Sequence, residues 1–499
     1  MTQTSQVSGA STSRRLDGCV IMAAIGALAA TFSWLIRNLA MNADEGFYGM
    51  AAREVWRGFV PYRDFGFTQT PVFPYAAGAV LNVTGHGLLE LRTFCAACAL
   101  ITVVLAVVVT YRSGRSGAAA GLMIALLGAG GWGMMSTIGK TYALAGLLLT
   151  GTAVAYLAAT SWWRRLFWTS LLGALAIGCR LPTLPFVAVV WLALAIESPG
   201  WRERGAVVVF PAAVLFAIFL PFATSDWLRF NFWTWRLHTL VTGDRPPLYR
   251  LTGFVAMGLP VWVASAVAAV RATCFRKSVP VRIRWLLAAS LLGTAANILP
   301  GHGYGEYTTP FIVPTALAAL WGLHGMLRLP RWIFGLAAVT AGCWSVGVIR
   351  SSPAEMPLVD RNAVADLRTS ARELREAIPR NGVVITGLPI VPYEAGLRVP
   401  VELLMGNFAI TGELAEEDAA RLNLVTLPRL LATLDSGVAD AVVLSIWDVG
   451  NFHWSLPSLR NFPSAATAAI YRSVNRRYGQ TSANDHFKVY LRRNDAASP

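Results

Sequence analysis

Eleven apolar runs follow one another through the first 350 residues, and they limit what this chain can fold into. They fall near 17–38, 89–111, 117–135, 141–160, 166–180, 182–197, 205–222, 250–272, 283–299, 308–327 and 331–349. A run of about 20 apolar residues matches the hydrocarbon thickness of a bilayer. The expected fold is therefore an α-helical polytopic membrane protein with about eleven crossings. Composition agrees: 14% of the 499 residues are charged, against about 25% in soluble chains. The fifth and sixth runs are short and meet at Arg180-Leu-Pro182. Arg14 and Arg15 precede the first run, whose length and lack of a small-residue cleavage site read as a retained helix rather than a signal peptide.

The net charge of +15 looks like a nucleic-acid signal until it is divided. Residues 1–350 hold 27 Lys/Arg against 11 Asp/Glu, and residues 351–499 hold 15 against 16. With the N-terminus inside, the cytoplasmic side of residues 1–350 carries 15 basic and 3 acidic residues. That asymmetry sets orientation, so the lipid bilayer is the expected partner and nucleic acid is not. An odd number of crossings puts residues 351–499 outside the cytoplasm. Those residues have no long apolar run and alternate helix with strand patterns. VDRNAVADLRTSARELREAI and EEDAARLNLVTLPRLLATL read as helices, and the stretches around VVIT, ADAVVLSI and HFKVYLRR as strands. The expected organisation is a membrane domain over 1–350 and a soluble extracytoplasmic α/β domain over 351–499. Of six cysteines none follows residue 343, and Cys95-Ala-Ala-Cys98 lies inside an apolar run, where small packing residues are the simpler reading.

The first external loop, 42–88, carries most of the chemistry. Asp44 and Glu45 directly follow the first run and open a stretch that can form a helix to Trp56, where the dipole favours carboxylates. Phe47, Met50, Ala51 and Val55 give it an apolar face suited to a membrane interface. PVFPYAAGAVLNVTG reads as a second interfacial or re-entrant segment. Ionisable groups at a membrane boundary suggest function, the alternative being simple helix capping in water. Arg53, Arg57, Arg63 and Asp64 can add an ion-pair network that stiffens the loop. The aromatic stretch with Trp227, Phe230, Trp233, Trp235 and His238 is most simply an interfacial belt. Asp44, Glu45 and Asp64 show no spacing that demands a metal, and none is expected, nor is any cofactor.

DEGFYGMAAREVWRGFVPYRDF, TPVFPYAAGAVLNVTGHG and Leu91-Arg92 resemble the polytopic glycosyltransferases of the GT-C fold, in particular bacterial relatives of protein mannosyltransferases and aminoarabinose transferases. The matching positions are Asp44, Glu45, Tyr48, Gly58, Pro61, Tyr62, Asp64, Pro71, Tyr75 and Arg92. The resemblance covers about 40–92 and implies transfer of a sugar from a polyprenyl-phosphate carrier to a glycan, lipid or protein acceptor outside the cytoplasm. It maps the catalytic base onto Asp44, with Glu45 orienting it or holding the acceptor. A carboxylate near a low-dielectric boundary suits that task, because desolvation favours taking up a proton. Tyr48, Tyr62 and Asp64 are the implied substrate-binding residues of the loop. Arg92, Lys140 and Arg180 fall on the outer side and are the candidate phosphate ligands, ordinary snorkelling being the alternative. His302, Glu306 and Tyr307 lie in the loop 301–310, where such enzymes often carry a polar residue and a Tyr. The absence of Arg or Lys there departs from the pattern. The competing functions are a secondary transporter, disfavoured by charges at span ends, and another surface-polysaccharide assembly protein without this transfer activity.

Overall fold

The computed structural model describes residues 4–42, 44–113, 127, 130–240, 247–299, 304–323, 362–412, 414–445 and 464–493. Helix dominates it. Four helices are long and apolar enough to cross a membrane: Ile21–Asn38, Leu88–Arg112, Trp201–Ser225 and Leu248–Cys274. Tyr142–Ala158 and Leu181–Ile196 are apolar but shorter. The expected eleven crossings are thus only partly visible. The run at 331–349 and most of 117–135 lie outside the described residues. The fifth and sixth runs form the helices Trp162–Cys179 and Leu184–Ile196, parted by a 3-10 turn at Leu181–Thr183.

The chain divides into two compact units. The first comprises 1–36, 95–218 and 245–358, and its described part is helical throughout. Its helices meet through small residues, as lipid-embedded helices do when apolar burial no longer discriminates. The Pro247–Cys274 helix shows the consequence of a proline in such a place. Pro260 lacks an N–H, so the carbonyl of Ala256, four residues earlier, loses its helical partner. The backbone turns non-helical at Gly258, and the Gly131 N–H takes the Ala256 carbonyl at 2.9 Å. This approach needs glycine: a Cβ on Gly130 would stand 2.5 Å from the Met257 carbonyl oxygen.

The second unit comprises 37–94, 219–244 and 359–499. Its loop helix, Glu45–Trp56, was expected to rest on the membrane interface. Instead every residue from Glu45 to Val55 is buried, and protein covers it. Gly46 lies against the Ile390 backbone and Gly49 against the Tyr393 ring, one helical turn apart, while Phe47 meets Phe408 edge-on at 5.6 Å. The helix Val72–Thr84 buries Phe73, Pro74, Ala77, Gly78 and Leu81 and leaves Val80 and Val83 exposed.

The same unit holds the strands β1 (Val384–Thr386), β2 (Ile410–Thr411), β3 (Val425–Thr426), β4 (Ala441–Ser445), β5 (Tyr478–Ala483) and β6 (Phe487–Arg492). Four form a sheet in the order β1-β4-β6-β5, with β1 and β4 parallel and β6 antiparallel to both neighbours. β2 and β3 form a separate parallel pair. The amphipathic helix Ala363–Ala377 lays Leu367, Ala371 and Leu374 on the four-stranded sheet, and Met41 and Leu88 join the same core. The segment read as one helix from EEDAARL onward is broken. Glu416–Arg421 ends at Asn423, which takes a left-handed φ of 56°, and a second helix starts at Leu427-Pro428.

Gly130→Ala is expected to lower the thermal midpoint in detergent, with a cost of about 1–3 kcal/mol for overpacking against fixed backbone. Gly131→Ala should cost clearly less, because its new Cβ meets the flexible end of Met257. Equal shifts in a thermal-melt comparison would contradict the proposed backbone contact.

Candidate functional site

The second unit places the loop carboxylates by a buried ion pair. Arg92 donates Nε to Glu45 Oε1 at 2.8 Å and Nη2 to Glu45 Oε2 at 2.6 Å. Its remaining donors reach the carbonyls of Leu39 (2.9 Å) and Ala40 (2.9 Å), at the end of the first long helix. Both partners are 0% exposed. Glu45 Oε2 also accepts the Asn42 N–H at 2.9 Å. The guanidinium fork thus ties together the end of one helix, the start of the next and its own helix, Leu88–Arg112. Removing either partner would strand a buried charge at a cost of about 3–5 kcal/mol.

Asp44 stands at the N-cap position of the Glu45–Trp56 helix, and its side chain makes no capping hydrogen bond. It is half-buried, whereas Glu45 is sealed. Its own N–H is held by Asn42 Oδ1 at 3.1 Å. The side-chain capping alternative therefore does not describe Asp44, although its carboxylate sits at the positive end of a helix. Tyr48, one turn on, is buried among Phe47, Phe67 and Phe73.

Tyr62 and Asp64 build a tight turn. Tyr62 takes a φ of 69°, a left-handed conformation that costs a bulky residue about 1–3 kcal/mol. The surroundings hold it there. Its N–H donates to the Phe65 carbonyl (2.7 Å), its hydroxyl to the Gln69 carbonyl (2.6 Å), and its ring packs edge-on against Phe222 and Phe230. Asp64 accepts the Val60 N–H at 2.7 Å and pairs with Arg63 at 2.8 Å. The Arg63 hydrogen bond, with help from Val60, holds its carboxyl below the usual range. Arg229 donates to the Arg63 carbonyl at 2.8 Å and to the Arg421 carbonyl at 2.7 Å, and Asn423 Nδ2 reaches the Tyr62 carbonyl at 2.9 Å. Trp233 donates to the Leu422 carbonyl at 2.8 Å, and His238 Nε2 lies 2.6 Å from the Thr68 carbonyl. The aromatic stretch is therefore only half a belt: Trp227 and Trp235 are exposed, and Trp233 is fully buried. The expected ion-pair network also splits, since Arg53 and Arg57 pair with Glu54 and Arg63 with Asp64.

The first unit brings Lys140, Arg180, Glu306 and Tyr307 together, a convergence that spacing alone does not show. Lys140 Nζ lies 3.2 Å from Glu306 Oε1, and the Tyr142 hydroxyl donates to the same oxygen at 2.7 Å. The Arg180 guanidinium lies between two rings, 4.7 Å from the centroid of Tyr142 and 4.8 Å from that of Tyr307, and donates to Thr141 Oγ1 at 3.3 Å. Lys140 and Arg180 are each 4% exposed. Burial pushes the Glu306 carboxyl up, but Lys140, the Tyr142 hydroxyl and Arg180 outweigh it and hold the group below the usual range. Among the described residues, two cations thus face one carboxylate. Local backbone aims both: Arg180 is the extended residue closing Trp162–Cys179, and Lys140 follows the extended Ile138 just before Tyr142–Ala158. Tyr142 and Thr141 are the partners that sequence reading missed; their adjacency to Lys140 in Gly139-Lys140-Thr141-Tyr142 is the available signal. Arg92 belongs to the second unit and serves Glu45 there. His302 lies outside the described residues.

No protein-family model matches the sequence, and no curated protein matches it. Solved structures do match in three dimensions. ArnT from Cupriavidus metallidurans in the apo state aligns over 98% of this chain and 100% of its own, at 13% identity and a TM-score of 0.64. ArnT from the same organism bound to undecaprenyl phosphate aligns over 97% and 98%, at 14% identity and a TM-score of 0.62. At such identities the likeness speaks for architecture, and over nearly the full length of both chains the architecture here is that of ArnT, the GT-C fold.

Proposed function

We propose that this protein is a cell-membrane glycosyltransferase that moves a sugar from a polyprenyl-phosphate donor to an acceptor hydroxyl on the extracytoplasmic side. Asp44 is the general base. The observation that carries this reading is the contrast at the helix start. Glu45 is sealed and paired with Arg92, while Asp44 beside it is half-buried and makes no capping bond. That is the arrangement of a positioned base with a structural neighbour. The fold supports it, and ArnT has been solved with undecaprenyl phosphate bound, a lipid of the proposed donor's class.

In this reaction Asp44 takes the proton of the acceptor hydroxyl as its oxygen forms a bond to the anomeric carbon. The bond from that carbon to the phosphate oxygen breaks, and the lipid phosphate leaves with the electron pair. A phosphate leaves without needing a proton, so one base suffices, and attack opposite the leaving group inverts the anomeric centre. In the first unit, Lys140 and Arg180 are the proposed ligands of a lipid phosphate, with Glu306 orienting Lys140 and the rings of Tyr142 and Tyr307 holding the guanidinium. Tyr48, Tyr62 and Asp64 shape the loop that carries Asp44. Residues 351–499 stand on the outer side of the membrane in this reading.

Asp44→Asn should reduce transfer by about 10²–10⁴-fold, the usual contribution of a positioned base, with an unchanged thermal midpoint. Retained turnover in a purified assay would remove Asp44 from the chemistry. Glu45→Gln should behave differently and lower the midpoint, because Arg92 is left charged and buried at a cost of about 3–5 kcal/mol. Arg180→Lys should weaken donor use while the fold is kept, since an ammonium cannot replace a planar guanidinium between two rings; unchanged donor KM and kcat would exclude a phosphate role. The reaction itself is tested by incubating the purified protein with a panel of polyprenyl-phosphate sugars and measuring release of free lipid phosphate.

A further inference from the structure

A second charged cluster lies in the first unit and plays no part in the proposed chemistry. Glu197 closes the helix Leu184–Ile196, where the negative end of the dipole disfavours a carboxylate. Three donors compensate it. Tyr156 donates its hydroxyl at 2.6 Å, Arg165 its Nη1 at 3.1 Å and Arg282 its Nε at 3.2 Å. These groups come from four different helices, so the cluster staples their ends together. Two guanidinium groups share one carboxylate, which leaves one positive charge in excess. Arg165 is 6% exposed, and its Nε has no hydrogen-bond partner among the described residues. A buried unpaired N–H is costly and calls for an acceptor from outside the protein.

The surroundings say what that acceptor is. The segments bearing Arg165 and Glu197 also carry Trp163, 57% exposed, and Trp201, 79% exposed. Indole rings exposed at helix ends mark the level of the lipid headgroups. Arg164 and Arg204 are exposed beside them, and Arg204 bonds Ser198 Oγ at 3.2 Å. Net positive charge, a buried orphan donor and an indole rim together fit an anion attached to a lipid. We propose that Arg165 and Arg282, steadied by Glu197, bind the phosphate of an anionic phospholipid headgroup at this end of the first unit.

The test is thermal unfolding of the full-length protein in nonionic detergent, titrated with phosphatidylglycerol or phosphatidylcholine. Phosphatidylglycerol should raise the midpoint more than phosphatidylcholine does. Arg282→Gln, at a partly exposed position, should lose at least half of that excess. Arg372→Gln, an exposed charge-matched change in the helix Ala363–Ala377, should keep it. The same excess in Arg282→Gln as in the parent, or no excess in the parent, overturns the proposal. So does an equal shift from inorganic phosphate, which would assign the site to a free anion.

Discussion

One buried ion pair organises the second unit of this protein. A charge in a low-dielectric interior is tolerated only when it is paired and hydrogen-bonded. Arg92 and Glu45 meet that demand through a two-point fork, and the guanidinium also holds the carbonyls of Leu39 and Ala40, just past the first long helix. The pair therefore fixes where one helix stops and the next begins. Asp44 inherits its position from that junction. Glu45 holds the junction together, and in the proposed reading Asp44 beside it takes the chemical role.

Much of this was legible in the sequence because its causes are local. The helix from Glu45 to Trp56 follows from spacing and from acids in its first turn. The long apolar helices follow from run length, and the helix Ala363–Ala377 from its amphipathic period. The failures share a different cause. The apolar face of the loop helix reads the same whether lipid or protein covers it; Gly46 and Gly49 decide for protein, because they let Ile390 and Tyr393 approach. Trp233 looks like any interfacial tryptophan until Leu422 is found accepting its N–H. The break at Asn423 depends on a left-handed residue that a helical pattern does not reveal.

The candidate site divides along the same line. Asp44 and Glu45 stand out as ionisable residues at the end of an apolar run. The gathering of Lys140, Arg180 and Glu306 is set by tertiary contacts across 166 residues of chain, and no spacing rule reports it. Tyr142 serves both as a ring face for Arg180 and as a hydroxyl donor to Glu306, and Tyr307 as a ring face, roles that residue type alone leaves open. Among the described residues, two guanidinium or ammonium groups set against one acid occur at Glu306 and again at Glu197.

The turn at Tyr62 has a consequence for the order in which the molecule is made. Its carbonyl is bonded by Asn423, 361 residues later in the chain. At about 5–20 residues per second, a ribosome needs roughly 20 to 70 s to span that interval. Until then the left-handed tyrosine lacks one of the bonds that hold it. A chain that terminates before residue 423 never makes that bond, so the loop beside Asp44 is finished only after Asn423 has been made. Assembly of the proposed active loop thereby becomes a late event, coupled to the presence of the segment that bears Asn423.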